Sequence, residues 1–202
     1  TINSLKNFNP NFTFICLPTP MKNDGSQNIE ILKSVITELS NLELETQIVI
    51  KSTILPSNIK KIIEIDNCII LNPEFLREKH AEEDFINSNL IVFGGDHKKC
   101  QSLSNFYKKY TKCLSKDHVF TDVFSASLIK YSINSFLASK VIFFNQLKEV
   151  LDQSDATISW DDFTKILSKD SRIGHSHMDV PGNDNRFGYG GACFPKDTAA
   201  LY

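Results

Sequence analysis

The sequence predicts an α/β fold in which a largely parallel sheet is followed by an all-helical domain containing one long helix. Over the first two-thirds of the chain, short apolar runs alternate with segments of helical periodicity. This alternation of strand and helix is typical of parallel sheets. After Asp122 the pattern changes, because residues 123–150 contain neither proline nor glycine.

Each predicted strand is a short apolar or β-branched run, which is typical of strands buried inside a sheet. The first of these runs stops at Pro18, and the fourth stops at Gly94 and Gly95. The predicted strands cover residues 12–17, 46–51, 68–71, 89–93 and a short segment near 119–120.

The predicted helices have apolar residues spaced three and four apart, as on the buried face of a helix. This spacing starts at Ile29 and continues to Leu39. Ser57 is a suitable N-cap for a second helix that ends near residue 65. Further helices are predicted at residues 97–110 and 160–167.

The long segment 123–150 reads as one helix of about 28 residues, roughly 42 Å in length. Its apolar residues surround most of the helix, which predicts burial on several sides. We expect a domain boundary just before this helix, with a first domain at residues 1–121 and a second at 122–202.

Composition excludes several classes of protein. The net charge of −2 argues against a nucleic-acid partner, which requires a basic surface. The 5 cysteines form no CxxC pair and no ligand spacing with the histidines, so we expect reduced thiols in the cytoplasm and no metal. His175 and His177 lie two apart, and a solvent-exposed pair is the favoured interpretation. No apolar run is long enough for a membrane helix.

The stretch GYGGACFPKD at residues 188–197 is the most informative motif. Glycines allow the backbone to approach a ligand closely, and a neighbouring cation favours the reactive thiolate of a cysteine. The motif therefore suggests a loop that holds a substrate against Cys193 as a nucleophile. The alternative is a tight turn before a helix, with Cys193 as an ordinary buried thiol.

Three further polar clusters stand out, two of them at places where an α/β protein binds ligands. Lys51-Ser52-Thr53 and the segment NPEFLRE at residues 72–78 each follow a predicted strand, where open sheets bind their ligands. Lys130 and Asn134 lie four apart on the long helix and share one face. Taken singly, each cluster is more typical of a turn or of a solvated helix face than of a ligand site.

Taken in order, these four motifs resemble the UDP-glucose/GDP-mannose dehydrogenase family, and so does the segment LPTP at residues 17–20 with Asp24-Gly25 behind it. The resemblance covers residues 12–201 and implies a partial Rossmann-like sheet. It also implies an NAD-dependent, two-step oxidation of a sugar C6 alcohol to a carboxylate in polysaccharide biosynthesis, with UDP-glucose as the leading substrate.

The resemblance also implies the roles of individual residues. Cys193 forms the thiohemiacetal and the thioester, while Lys130 and Asp197 stabilise oxygen charge and assist proton transfer. Glu74 and Thr53 activate and order water. The remaining catalytic position is Asn134, which holds the sugar. The implied substrate contacts are Phe75, Leu76, Arg172, Phe187, Tyr189, Gly190 and Gly191. The implied cofactor contacts are Thr19, Thr53, Glu78 and Lys196.

The chain departs from the family pattern, and the clearest departure is a missing glycine motif. The family carries a Gly-x-Gly-x-x-Gly phosphate loop, and these 202 residues contain none. We therefore expect the second half of an NAD-binding domain and a central domain, without the first half and without a C-terminal nucleotide-sugar domain. The family also implies a homodimer through the long helix.

Two alternatives stay open. The substrate could be GDP-mannose or a UDP-N-acetylhexosamine, because the motifs surround the reacting C6 group and do not read the base. The chain could also be a truncated, non-catalytic remnant that serves as an assembly module.

Overall fold

The computed structural model describes residues 2–115, 117–182, 184–191 and 193–201, and for Glu78 the backbone alone. The chain forms two compact units that meet in sequence between Tyr131 and Ser132, inside the long helix. The predicted domain boundary between residues 121 and 122 stays a prediction.

The first unit contains a five-stranded sheet in which the strands are ordered as they occur in the chain. Neighbouring strands are parallel except β3 and β4, which pair antiparallel. The strands are β1 (Phe12–Ile15), β2 (Gln47–Ile50), β3 (Ile70–Leu71), β4 (Ile91–Gly94) and β5 (His118–Thr121). The mostly parallel α/β sheet is confirmed, but an apolar run indicates burial and not strand direction, so the antiparallel pair was not foreseen.

Seven α-helices are described. Helices α1 to α4 belong to the first unit and α6 and α7 to the second, while α5 continues through the division between them. They are α1 (Glu30–Ser40), α2 (Pro56–Ile63), α3 (Ala81–Ile86), α4 (His97–Tyr110), α5 (Val123–Asp152), α6 (Trp160–Leu167) and α7 (Phe194–Leu201). The long helix is confirmed, at 30 residues.

Three helix starts differ from expectation. The capping role of Ser57 is wrong: α2 begins at Pro56, after Leu55 in an extended conformation. Proline suits the first helical position because the N–H that it lacks has no partner there. Helix α3 was not predicted, although its acidic first turn is a start signal. Helix α7 was expected only in the alternative interpretation of the Cys193 motif, as the helix that follows a tight turn.

Helices cover both faces of the sheet. On one face, buried residues of α1 and α2, such as Leu32 and Ile59, pack with Ile50 of β2. On the other, Leu103 and Tyr107 of α4 pack with residues such as Phe93 of β4. Burial on both faces explains why the strands appear in the sequence as continuous apolar runs and not as alternating patterns.

The start of α5 packs tightly on the end of β4. A Cβ atom added to Gly94 would lie 2.5 Å from the Ala126 Cβ and 2.8 Å from the Asp122 carbonyl oxygen. Only glycine fits there, so the close approach of strand and helix explains this residue.

The second unit has its own core, in which Phe144 of α5 packs with Met178 and Val180. The Trp160 indole at the start of α6 donates to the Met178 carbonyl oxygen at 3.1 Å. The expectation that α5 is buried on several sides is wrong for this unit, where several large apolar side chains of α5 are exposed. No helix in the described part of the chain combines the length and the apolar character needed to cross a membrane.

Candidate functional site

The predicted site residues Thr19 and Thr53 meet at the carboxyl ends of β1 and β2. The Thr19 hydroxyl donates to the Thr53 carbonyl oxygen at 2.8 Å, and the Gln27 Nε2 donates to the same oxygen at 2.8 Å. The buried Gln27 amide also reaches the Tyr131 hydroxyl at 3.1 Å and accepts from the Leu55 N–H at 3.0 Å. Gln27 thus fixes this strand end, and no sequence signal singled it out.

Glu74 follows β3 and forms an ion pair with Lys51, which follows β2. The Lys51 Nζ lies 3.2 Å from the Glu74 Oε1, and the side chains are 11% and 46% exposed respectively. The same Nζ donates to the Asn72 Oδ1 at 3.1 Å. The sequence marked the cluster that contains Lys51, but it gave this residue no role.

These groups influence one another electrostatically. Burial lowers the pKa of Lys51, and the Glu74 carboxylate opposes that effect. Desolvation raises the pKa of the Cys16 thiol, the negative charge of Glu74 raises it further, and Lys51 acts in the opposite direction. Burial also raises the pKa of the Tyr107 hydroxyl. A carboxylate, an ammonium and a thiol therefore share one small region of the first unit.

Phe75 and Lys130 are also brought together. The buried Lys130 places its Nζ 5.4 Å from the centroid of the Phe75 ring, within the range of a cation–π interaction. Leu76 next to it is half-buried. The side chain of Glu78 lies outside the described part of the structure.

In the second unit, the buried Asn134 and Asp197 form a polar cluster with the half-buried Lys196. The Asn134 Nδ2 donates to the Asp197 Oδ2 at 2.6 Å, and the Lys196 Nζ lies 2.5 Å from the Asp197 Oδ1. Asp197 is only 1% exposed. An ionised carboxylate is tolerated at such depth only when it is paired and hydrogen-bonded, as it is here.

Cys193 lies at the surface, immediately before α7. The Asp197 N–H donates to the Cys193 carbonyl oxygen at 2.8 Å, so the thiol and the buried carboxylate are one helical turn apart in the chain. The alternative of an ordinary buried thiol is wrong. A turn followed by a helix start is what the structure contains, but the sulfur is accessible.

The glycine loop before Cys193 is anchored at its start. The Gly188 N–H donates to the Asn145 Oδ1 of α5 at 2.8 Å, and Gly188 and Gly191 adopt φ values of 81° and 79°. Side chains with a Cβ rarely adopt such angles, which explains these two glycines. Gly190 and the exposed Phe187 lie in the same loop.

Two other predicted contacts differ in their surroundings. The Tyr189 hydroxyl lies 3.4 Å from the Thr198 Oγ1 of α7. The exposed Arg172 forms an ion pair with Asp170 rather than with another predicted site residue of this unit. Its Nη2 lies 2.6 Å from the Asp170 Oδ2. The described residues include no group of three or more histidine, cysteine or acidic side chains that could hold a metal ion.

Comparison with known proteins extends over almost the whole chain. A UDP-glucose 6-dehydrogenase from Rickettsia bellii is 34% identical over 201 residues, which cover 96% of this chain and 44% of that protein. The chain thus spans less than half the length of the curated relatives that it matches.

Two solved structures are also similar. A UDP-glucose dehydrogenase from Pyrobaculum islandicum is 28% identical, with a TM-score of 0.75, over 95% of this chain and 45% of that one. A GDP-mannose dehydrogenase from Pseudomonas aeruginosa is 27% identical, with a TM-score of 0.70, over 95% and 46% of the two chains.

Models of a single protein family match both parts of the chain. Residues 4–111 match its NAD-binding domain, and residues 124–202 match its central domain. Together these matches cover strands β1 to β4 of the first unit, and most of α5 with the helices that follow it; β5 lies between them. The chain therefore belongs to the UDP-glucose/GDP-mannose dehydrogenase family.

Proposed function

We propose that this chain serves in the NAD-dependent oxidation of a nucleotide sugar, in which the C6 alcohol becomes a carboxylate. The observation that carries the proposal is the accessible Cys193 at the start of α7, one helical turn before the buried Asp197. UDP-glucose is the leading substrate because several similar relatives bear the name UDP-glucose 6-dehydrogenase. The free thiols of the chain suit a reducing cytoplasm.

The described residues fit part of a nicotinamide cofactor site. Thr19 and Thr53 sit at the carboxyl ends of β1 and β2, where open α/β sheets bind nucleotides, and Gln27 holds that region rigid. We assign cofactor contacts to Thr19, Thr53, Glu78 and Lys196. The 202 residues contain no Gly-x-Gly-x-x-Gly, so the fit does not extend to the pyrophosphate. When bound, NAD supplies the acceptor for the hydride in each oxidation.

In the proposed chemistry, Cys193 keeps the substrate bound between the two oxidations. The sulfur adds to the C6 aldehyde carbon, forming a C–S bond and an oxyanion that the Lys130 ammonium stabilises. Oxidation of this thiohemiacetal gives a thioester. Glu74 then takes a proton from water, the hydroxide adds to the thioester carbon, and the C–S bond breaks to return the thiolate.

The other site residues hold the reacting groups. We assign Asn134 to a hydroxyl of the sugar and Asp197 to proton transfer at the C6 oxygen, with Thr53 ordering the water. Phe75, Leu76 and the loop residues Phe187 and Tyr189 contribute contact area to the nucleotide sugar. We also assign Gly190, Gly191 and Arg172 to the substrate, for which the Arg172 guanidinium must first break its ion pair with Asp170.

The proposal is tested with the complete gene product that carries this chain, NAD and a panel of nucleotide sugars. We expect two NADH per molecule of UDP-glucose and the corresponding uronic acid by mass spectrometry. GDP-mannose and the UDP-N-acetylhexosamines are the competing substrates in the same panel. Absence of NADH and of nucleotide-sugar binding by calorimetry with every sugar would reject the proposal in favour of a non-catalytic assembly module.

We also propose a homodimer that forms through α5. Phe136, Phe143 and Val150 are 67%, 56% and 63% exposed and follow one another at intervals of seven residues. Side chains spaced by seven form a stripe along one side of a helix, the pattern by which two helices pair. A second copy of the chain would cover this apolar stripe.

The Phe143→Glu variant places a charge in the centre of the stripe. Because a charge is costly to bury without a partner, we expect light scattering to show twice the mass of one chain for the wild type and a single chain for the variant. Phe8→Glu, at an exposed phenylalanine of the first unit, is the control and should keep the mass of the wild type. A wild type of single-chain mass would contradict the dimer.

A further inference from the structure

The Lys51 ammonium is a shielded cation to which the proposed chemistry gives no part. Its side chain is only 11% exposed, and the residue directly follows β2. Its N–H donates to the Ile15 carbonyl oxygen at 2.8 Å, which continues the ladder between β1 and β2. A lysine with a flexible four-carbon stem normally keeps its charge in water, so its position here requires an explanation.

The buried Asn72 side chain accepts a hydrogen bond from the Lys51 ammonium. The Asn72 Oδ1 accepts from the Lys51 Nζ at 3.1 Å and from the Tyr107 hydroxyl at 2.6 Å. The Asn72 Nδ2 donates to the Val92 carbonyl oxygen at 2.9 Å, so the amide is fixed from both ends. Asn72, which directly follows β3, and Tyr107 of α4 are both buried.

Glu74 is the partner on the outer side. Its carboxylate lies 3.2 Å from the Lys51 Nζ and is 46% exposed. The other titratable groups that act on Lys51 are the Cys16 and Cys113 thiols. Among the groups that favour the charged form of Lys51, the Glu74 carboxylate has the largest effect. The exposed carboxylate is thus joined to the core of the sheet through the ammonium and the Asn72 amide.

We propose that Lys51 is the positioning residue of Glu74 and holds its carboxylate at the carboxyl end of the sheet. This inference rests on the proposed function, in which Glu74 is the base that activates water. A half-exposed glutamate has several rotamers of similar energy, and a general base works only within hydrogen-bond reach of its proton. The buried chain Tyr107–Asn72–Lys51 selects one of those rotamers.

Zero-length cross-linking tests the contact without any need for turnover. A carbodiimide activates the Glu74 carboxylate, and the Lys51 amine then displaces the activating group to form an amide with overall loss of water. We expect a Lys51–Glu74 cross-link in the peptide map. The exposed Lys33–Glu30 pair at 3.5 Å is the internal control. A map that contains the Lys33–Glu30 product and lacks the Lys51–Glu74 product would overturn the inference.

Variants of Lys51 test the role. Lys51→Met is expected to slow hydrolysis of the Cys193 thioester about tenfold to a hundredfold, the effect of a misplaced catalytic group. The acyl adduct on Cys193 should then accumulate in intact-protein mass spectra, and Lys51→Arg should restore turnover in part. A merely structural defect would reduce formation of the adduct as well. Lys33→Met is the matched control and should behave as wild type.

The outcomes separate this inference from the proposed function. If the wild type oxidises a nucleotide sugar and Lys51→Met shows neither slower turnover nor an adduct, the positioning role is overturned while the proposed function stands. If the wild type is inactive with every sugar, the proposed function fails, and the cross-link alone decides whether Lys51 holds Glu74.

Discussion

Replacing Cys193 with alanine is expected to lower production of the uronic acid at least about a thousandfold, because alanine has no sulfur on which the proposed thioester could form. The first oxidation needs no covalent bond to the protein, so a small release of aldehyde is the expected residual activity. The measurement follows NADH together with the sugar products by mass spectrometry. Folding should be unaffected, since the side chain of Cys193 is exposed.

Cys68→Ala is the matched control for this prediction, because Cys68 is also an exposed free cysteine but belongs to the first unit. We expect this variant to keep the activity of the wild type. If Cys193→Ala still produced two NADH per sugar at the rate of the wild type, the covalent role of Cys193 would be wrong.

Truncation of Phe93 to alanine is expected to lower the free energy of unfolding by about 3–5 kcal/mol, the usual cost of removing a large aromatic side chain from a core. Phe93 is fully buried in β4, and its ring centroid lies 5.2 Å from those of Tyr107 and His118. The cavity would remove one edge-to-face ring contact from Tyr107 and one from His118. Urea denaturation followed by circular dichroism measures the change.

Phe8→Ala is the control for the stability prediction, because Phe8 is exposed and its removal should change the free energy of unfolding by no more than about 0.5 kcal/mol. A loss below about 1 kcal/mol for Phe93→Ala would show that β4 is not at the centre of the core. Loss of Phe93 should also loosen Tyr107, and with it the Asn72 amide that contacts Lys51.

Periodicity predicted the regular elements well. A long segment that is rich in apolar residues and free of glycine and proline predicted α5, and α6 has the predicted bounds of Trp160–Leu167. Both follow from local chemistry, since helical spacing and the absence of breakers act within a few residues. The six-residue α3 was missed because so short a helix contains too few turns to establish a period.

Of the site residues, the sequence identified some, and only the structure identified others. The order of the motifs singled out Cys193, Glu74, Lys130 and Asn134, which are candidates because of their residue types and neighbours in the sequence. Gln27 stayed hidden, because an isolated glutamine after a turn is typical of a solvated loop. Its importance arises only where the chain brings Thr53 and Tyr131 against it.

The sequence by itself determined the fold class, the long helix and the family, because apolar periodicity and motif order are written along the chain. The tertiary structure alone decided which polar groups pair. Lys51 meets Glu74 because β2 and β3 are neighbours, and Asn134 meets Asp197 although 63 residues separate them. Such contacts depend on strand order and on packing between distant segments, and neither can be predicted from a local sequence pattern.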